Sequence, residues 1–269
     1  MSAANQERDA RWDRPSPARV YDYLLGGSAN FAVDREFAEQ ALRAYPDARL
    51  IAHANRSFLR RAVRFCADAG IRQFLDLGSG VPTAGNVHDI VAGYEPACRV
   101  VYVDKDPVAV THSRQLLGDT GDVGVIGADL ADVEAVLADP VARGLLDPDR
   151  PVAVLAVAVL HYLDDAEDPA GVLSAYRRAF HAGGYVVLSH GTSDHIRELA
   201  DLGELFERST DRARLRTRSE VADLLPGLAL VDPGLVYTAQ WRLDTPLPGG
   251  LPPERSANYA AVAHFGPTL

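Results

Sequence analysis

The residues whose order invites a chemical reading begin at Asp76-Leu77-Gly78-Ser79-Gly80. Paired glycines let a backbone turn sharply and let a ligand approach with no Cβ in the way. Asp76 adds a carboxylate at the same spot. Asp104 follows 24 residues after Gly80 and precedes Lys105. A carboxylate ending a second strand can accept both hydroxyls of a ribose. Asp129 and Leu130 come after a third apolar run, where a carboxylate can accept from an adenine amino group and the adjacent backbone N–H can reach a ring nitrogen. Asp132 serves as cap for the next helix, which leaves Asp129 free. His161, Tyr162 and His190 stand just past the fourth and fifth runs, and His88 follows the glycines. A histidine placed there is a general base if the reaction must remove a proton, or a structural hydrogen-bond partner. His161 and Tyr162 are the catalytic candidates.

The ligand these positions suit is a nucleoside cofactor. The long Gly-rich loop ending in Lys-Ser/Thr that cradles a triphosphate is missing. A dinucleotide is the serious rival, because NAD shares the ribose. Its fingerprint asks for a third glycine where this chain has Thr83, and Pro82 removes an N–H that a pyrophosphate would use. The Asp76 carboxylate is awkward beside a pyrophosphate and sensible beside an ammonium and a sulfonium, the groups of S-adenosylmethionine.

Elements must hold these residues in place. Periodicity predicts helices over Ala18–Leu25, Asp34–Ala44 and Ala48–Ala69, the last with Ile51, Ala54, Phe58, Leu59, Ala62, Val63 and Cys66 on one face. Beyond Gly70 the pattern alternates. Strands are expected at Gln73–Leu77, Arg99–Val103, Val123–Ile126, Val152–Val159 and Tyr185–Ser189. Helices are expected at Ala84–Ala92, from Pro107 behind the cap Asp106, at Val133–Ala138, and from Pro169 to Gly183. Helices near Asp194–Arg208 and Ser219–Leu225 follow. The last strands are Ala229–Val236, broken by Pro233, and Tyr259–Phe265, separated by a Pro/Gly-rich loop at 245–253. Five strand–helix alternations predict an α/β fold, a doubly wound parallel sheet with helices on both faces. Ligands of such a sheet bind beyond the carboxyl ends of its strands, where the residues above fall. The expected organisation is a loose tail over 1–14, a helical extension over 15–70 packed on the core, and the core over 71–269.

Composition narrows the function classes. The 269 residues carry 27 basic and 37 acidic side chains, a formal charge of −10, with 47% hydrophobic residues. That is globular composition. Its sign disfavours nucleic acid or an acidic membrane as the main partner, and a small molecule is the expected acceptor. No apolar run approaches the ~20 residues of a membrane span and no secretory signal is visible, so a cytoplasmic location is expected. Cys66 and Cys98 cannot build a disulfide framework and read as core thiols. No metal-ligand cluster stands out, and Asp164, Asp165 and Asp168 read as helix capping. Arg56, Arg60, Arg61 and Arg64 on the third helix, and Arg212, Arg214, Arg216 and Arg218 in a later stretch, read as solvated faces.

The order D-x-G-x-G, Asp at the end of strand two, Gly-Ala-Asp-Leu at 127–130 and Leu-His-Tyr-Leu at 160–163 resembles the class I S-adenosylmethionine-dependent methyltransferases. More narrowly, Pro17-Ala18-Arg19-Val20-Tyr21-Asp22-Tyr23-Leu24-Leu25-Gly26-Gly27 is similar to an actinobacterial S-adenosyl methyltransferase family once catalogued as a domain of unknown function. Ala54-Asn55-Arg56, Val81-Pro82-Thr83, Asn86-Val87-His88 and the stretch Ala156–Tyr162 share that similarity. Pro82 departs from the wider class, where many members have a third glycine, but not from the narrower family. The resemblance runs from Pro15 to Phe265. It implies a Rossmann-like sheet of seven strands, the last antiparallel and slotted between strands five and six. It also implies S-adenosylmethionine as cofactor and a segment Tyr21–Phe31 over the cofactor pocket, with Tyr21, Tyr23 and Phe31 excluding water. It names no acceptor. A non-catalytic S-adenosylmethionine or S-adenosylhomocysteine sensor and an NAD-dependent oxidoreductase stand as the alternatives.

Overall fold

The computed structural model describes residues 14–82, 85–118, 120–192, 194, 211–243 and 252–267. The expected helix at Asp194–Arg208 apart from Asp194 itself, the tail before Arg14 and most of the loop at 245–253 lie outside them.

Local signals start the elements where capping chemistry places them. Helix α1 (Pro17–Leu24) begins with proline at its first turn, α2 spans Ala32–Ala44 and α3 spans Ala48–Asp68. Helix α3 ends in a Schellman arrangement: Gly70, at φ 92°, donates to Ala67 and Ile71 donates to Cys66. Strand β1 (Gln73–Leu77) follows at once. Then come α4 (Val87–Val91), β2 (Arg99–Asp104), α5 (Pro107–Leu117), β3 (Val123–Gly127), α6 (Val133–Ala138), α7 (Pro140–Leu145), β4 (Val152–Val157), α8 (Pro169–Arg178), β5 (Gly184–Gly191) and α9 (Arg218–Ala222). The chain closes with β6 (Ala229–Leu230), β7 (Val236–Tyr237) and β8 (Asn258–Phe265).

The sheet runs β3-β2-β1-β4-β5-β8-β6, with β7 also paired to β8. Strands β1 to β5 are mutually parallel, and β8 lies antiparallel to β5. This is the Rossmann-like doubly wound sheet expected, with eight strands rather than seven. The reason is local: the expected strand Ala229–Val236 turns at Pro233-Gly234, and its ends pair separately with β8. Several other boundaries move as well. Strand β4 stops at Val157 because Ala158 takes φ 55°. Helix α4 starts at Val87 behind Asn86, and α8 stops at Arg178.

Alternate residues of the parallel strands feed two cores. Phe74, Val100, Leu155 and Val187 meet Phe58, Leu59, Ala62, Val63 and Cys66 of α3 on one face. Leu75, Val101, Val154 and Val186 meet Val136, Ala142, Leu173 and Val221 on the other. Both cysteines are free and buried. Since α3 shares a core with β1 and β2, the N-terminal segment is built into the body of the molecule.

Helices α1 and α2 are fastened by a buried ionic network. Arg19 donates to Asp34 at 2.7 Å and to Asp106 at 3.1 Å. The second Asp34 oxygen accepts from the Ser16 N–H, and Ser16 Oγ bonds Asp106. Asp106 also caps α5 through its other oxygen. One aspartate therefore starts a core helix and holds α1 against it.

Candidate functional site

At the carboxyl end of β1 the chain turns through Gly78 (φ 64°) and Gly80 (φ 66°). The two glycines serve different ends. A Cβ on Gly78 would lie 2.1 Å from Val159 Cγ2, so Gly78 is a packing requirement. A Cβ on Gly80 would meet nothing nearer than Ala18 Cβ at 3.9 Å. Its backbone faces open space that a side chain would fill. The Gly80 N–H donates to Asp104 at 2.7 Å, which ties the ends of β1 and β2 together.

A cavity of about 270 Å³ opens over this bend. Asp76, Gly78, Ser79, Gly80, Asp104, Lys105, Asp129, Leu130, Tyr21, His161 and Tyr162 all line it. Residues separated by up to 141 positions in sequence, from Tyr21 to Tyr162, thus face one space, as the strand order requires. Helix α1 covers the glycine bend through Ser16, Pro17 and Ala18.

The electrostatics differ from one carboxylate to the next. Asp76 is buried, accepts no hydrogen bond from the described residues, and burial pushes its carboxyl up to about 7. The Arg56 guanidinium opposes that rise and Asp104 adds to it. Asp104 is also pushed up, to about 6, by burial, while the Asp106 and Gly80 N–H groups hold it down. Asp129 departs from expectation. It is not free: Oδ1 accepts from the Ala131 N–H at 2.9 Å, beside the Asp132 cap on Ala135. Its other oxygen is 3.8 Å from Lys105 Nζ, which pairs more closely with Asp211 at 2.7 Å.

Of the described histidines, only His161 lines the cavity. Its Nδ1 accepts from the Gly191 N–H at 3.3 Å, and Tyr162 packs against its ring. Burial, with His190 and Arg216 nearby, holds its protonation well below the usual range. The lone pair is therefore in use and Nε2 carries the proton. That makes His161 a donor, not the free base allowed from sequence. His190 bonds the Gly191 carbonyl through Nδ1 and accepts from Arg216 through Nε2 at 2.9 Å, which makes it structural. His88 faces Tyr102 and Asp89, away from the cavity. The Tyr162 and Tyr21 phenols are pushed up by burial and stay protonated.

Two expectations need correction. The arginines of α3 do not form one solvated face: Arg60 and Arg64 are exposed, Arg61 donates to the Trp241 and Thr238 carbonyls, and Arg56 enters the cavity. Arg216, likewise, is 3% exposed and donates to the Leu160 and Leu163 carbonyls. Of the three aromatics in the covering segment only Tyr21 lines the cavity, beside Leu24. Tyr23 bonds Glu39, and Phe31 is exposed under the Arg19 guanidinium. Arg56 and Asn55 join the site as well, which residue type alone does not signal, although their helical spacing from Ile51 and Ala52 puts them on one stripe. Asn55 donates to Tyr21 Oη at 3.0 Å and accepts from Ser189. The ring of Tyr21 lies 5.8 Å from the Arg56 guanidinium.

Among the described residues no group of His, Cys, Asp or Glu is placed to hold a metal ion, and no helix is long and apolar enough to cross a membrane.

Comparison with known proteins bears on what the cavity holds. A family model described as S-adenosyl methyltransferase matches residues 3–266. A candidate methyltransferase from Thermobifida fusca YX is 39% identical, with 95% of this chain and 96% of that chain covered and a TM-score of 0.89. A DUF574 family protein from Streptomyces avermitilis MA-4680 is 36% identical, with 96% and 100% covered and a TM-score of 0.90. No curated protein matches the sequence.

Proposed function

We propose residue roles for a chain that belongs to the S-adenosyl methyltransferase family. Its cofactor is S-adenosylmethionine, which supplies an electrophilic methyl group on a sulfonium.

The residues present suit that group. Asp76 is a buried carboxylate with no donor of its own among the described residues, and it matches an ammonium. Arg56 beside it matches the carboxylate of the same amino-acid moiety. Gly80 leaves the backbone open for close approach, and Asp104 offers two oxygens to ribose hydroxyls. Asp129, Leu130 and Lys105 stand at the adenine end, with Asp129 able to accept through its oxygen beside Lys105. The observation that carries this assignment is the Gly80–Asp104 bond at 2.7 Å. It fixes the open glycine backbone and the ribose carboxylate on one rim.

The protein's work is then orientation. Holding an acceptor in line with the methyl carbon is worth up to ~7–11 kcal/mol in favourable cases. The leaving sulfur departs neutral and needs no acid. Tyr21 is held by its bonds to Ala52 and Asn55 and closes the cavity from above. His161 donates through Nε2 and so positions the acceptor. Tyr162 lies against it.

S-adenosylhomocysteine at 100 times its dissociation constant should stabilise the protein by ~2.7 kcal/mol, read as a thermal shift. NADH should give none; the reverse result would restore the oxidoreductase reading. Asp104→Ala should weaken S-adenosylhomocysteine binding by more than about tenfold in calorimetry, through lost charge-assisted bonds. Methylation of any acceptor by the purified protein separates an enzyme from a sensor.

A further inference from the structure

We propose that the acceptor is a neutral, predominantly apolar small molecule, methylated on an uncharged nitrogen. This rests on the cofactor reading above and concerns the rest of the same cavity.

Helix α3 presents Ala48, Ile51, Ala52, Asn55, Arg56 and Leu59 to the cavity, one stripe at helical spacing. The stripe changes character along its length. Asn55 and Arg56 stand with Tyr21 and near Asp76. At the helix start, Ala48 and Ile51 instead join Leu24, Ala41, Leu215 and Ala257. These six belong to one apolar cluster, and none carries charge. Three of them are alanines, and their short side chains leave the space that makes this end of the cavity. A charged or heavily hydrated acceptor would lose its water here with nothing in return.

Charge count points the same way. Asp76, Asp104, Asp106, Asp129 and Asp211 line the cavity against Arg56 and Lys105. Arg19 offsets Asp106, and Lys105 pairs with Asp211. Among the described lining residues, carboxylates then outnumber cations even with Asp76 only partly ionised at neutral pH. An anionic nucleophile would approach against that excess, whereas one that becomes positive during reaction is favoured by it.

Among the described residues, no side chain at this end of the cavity offers the nucleophile a base. His161 has its lone pair on the Gly191 N–H, and Tyr21 and Tyr162 are phenols. Among the described residues no carboxylate lines the apolar end. A neutral nitrogen meets this condition and a hydroxyl does not. Its lone pair forms the N–CH₃ bond, the C–S bond breaks with its electron pair kept by sulfur, and the positive charge passes from sulfur to nitrogen. Any N–H proton leaves to water afterwards. The rings of Tyr21 and Tyr162 line the space where that charge appears, and aromatic faces attract cations.

Isoquinoline, 2-naphthol and 2-naphthoate, close in size, test the proposal on the full chain at neutral pH. Calorimetry with S-adenosylhomocysteine present reads binding, and mass spectrometry with S-adenosylmethionine reads transfer. Isoquinoline should bind and yield N-methylisoquinolinium. Naphthoate should bind at least about tenfold more weakly, and naphthol should bind without being methylated. Ile51→Glu should abolish isoquinoline binding while S-adenosylhomocysteine affinity stays within about twofold. Ala48→Leu, a milder change that fills the same end, should do likewise. Preference for naphthoate or naphthol, or no isoquinoline binding by protein that binds S-adenosylhomocysteine, overturns the acceptor proposal and leaves the cofactor reading standing. Failure to bind S-adenosylhomocysteine overturns the cofactor reading and the proposal with it.

Discussion

Asp76 is a carboxylate in a place where ionisation is expensive, and this gives it a measurable signature. Its carboxyl titrates at about 7 in the folded chain against an ordinary value of 3.8. Between those limits the native state keeps a proton that the unfolded chain releases. Unfolding is then favoured by rising pH across the window, so this group's contribution to stability falls from about pH 4 to about pH 7. Asp76→Asn should flatten that part of the stability–pH curve in thermal denaturation. Cofactor binding should have the opposite slope, because an ammonium prefers the ionised form: S-adenosylhomocysteine affinity should rise through pH 6 to 7 in the parent and not in Asp76→Asn. The two glycines nearby also separate by experiment. Gly78→Ala should cost stability on the order of 2 kcal/mol or more, from the clash with Val159 and the positive φ. Gly80→Ala should keep more of the stability and lose cofactor affinity instead. Residue types and spacing were enough to bring Asp76, Asp104 and the glycines to notice. They could not reveal that Asp129 would bond Ala131, which depends on a tight turn after β3, or that His161 would spend its lone pair on Gly191, which depends on how the ends of β4 and β5 meet 30 residues apart.

Among the elements, α1 and α2 are held on the core by Arg19, Asp34 and Asp106, with Asp34 fully buried. Removing one partner of such a network leaves an uncompensated charge, which typically costs about 3–5 kcal/mol. Asp34→Ala should therefore lower the denaturation midpoint sharply. It should also weaken S-adenosylhomocysteine binding, because α1 covers the glycine bend. If stability drops while affinity is unchanged, α1 is packing alone and has no part in the site. Most elements were legible because their signals are local: Asp106-Pro107 and Asp132 start helices where capping predicts. Asp139-Pro140 carries the same signal, and α7 begins there, although its brevity hid it. The buried arginines were not legible. Arg61 and Arg216 bond carbonyls far along the chain, and nothing in a sequence distinguishes such an arginine from a solvated one.

Over the whole molecule, five parallel strands buried on both faces leave the carboxyl rim as the place where distant residues meet. The sheet class and the antiparallel final strand were readable, the first from strand–helix alternation and the second through family resemblance. The eighth strand was not, since two-residue pairings at Ala229 and Val236 have no periodicity to detect. The charge of −10 and the carboxylate-rich cavity lead to one further expectation. Duplex DNA should show no measurable binding in a mobility-shift titration even at low ionic strength, where any attraction would be largest. Saturable binding there would reopen nucleic acid as a partner.

Lys105 is the sole lysine of the chain, and it borders the cavity with its side chain 47% exposed, between Asp211 and Asp129. An amine-selective reagent therefore has one side-chain target in this protein besides the terminal α-amino group. Whatever fills the adenine end shields that target, so occupancy becomes a single mass increment on one peptide. The protein carries its own footprinting probe, and unlabelled libraries can be screened against it without knowing the reaction product in advance.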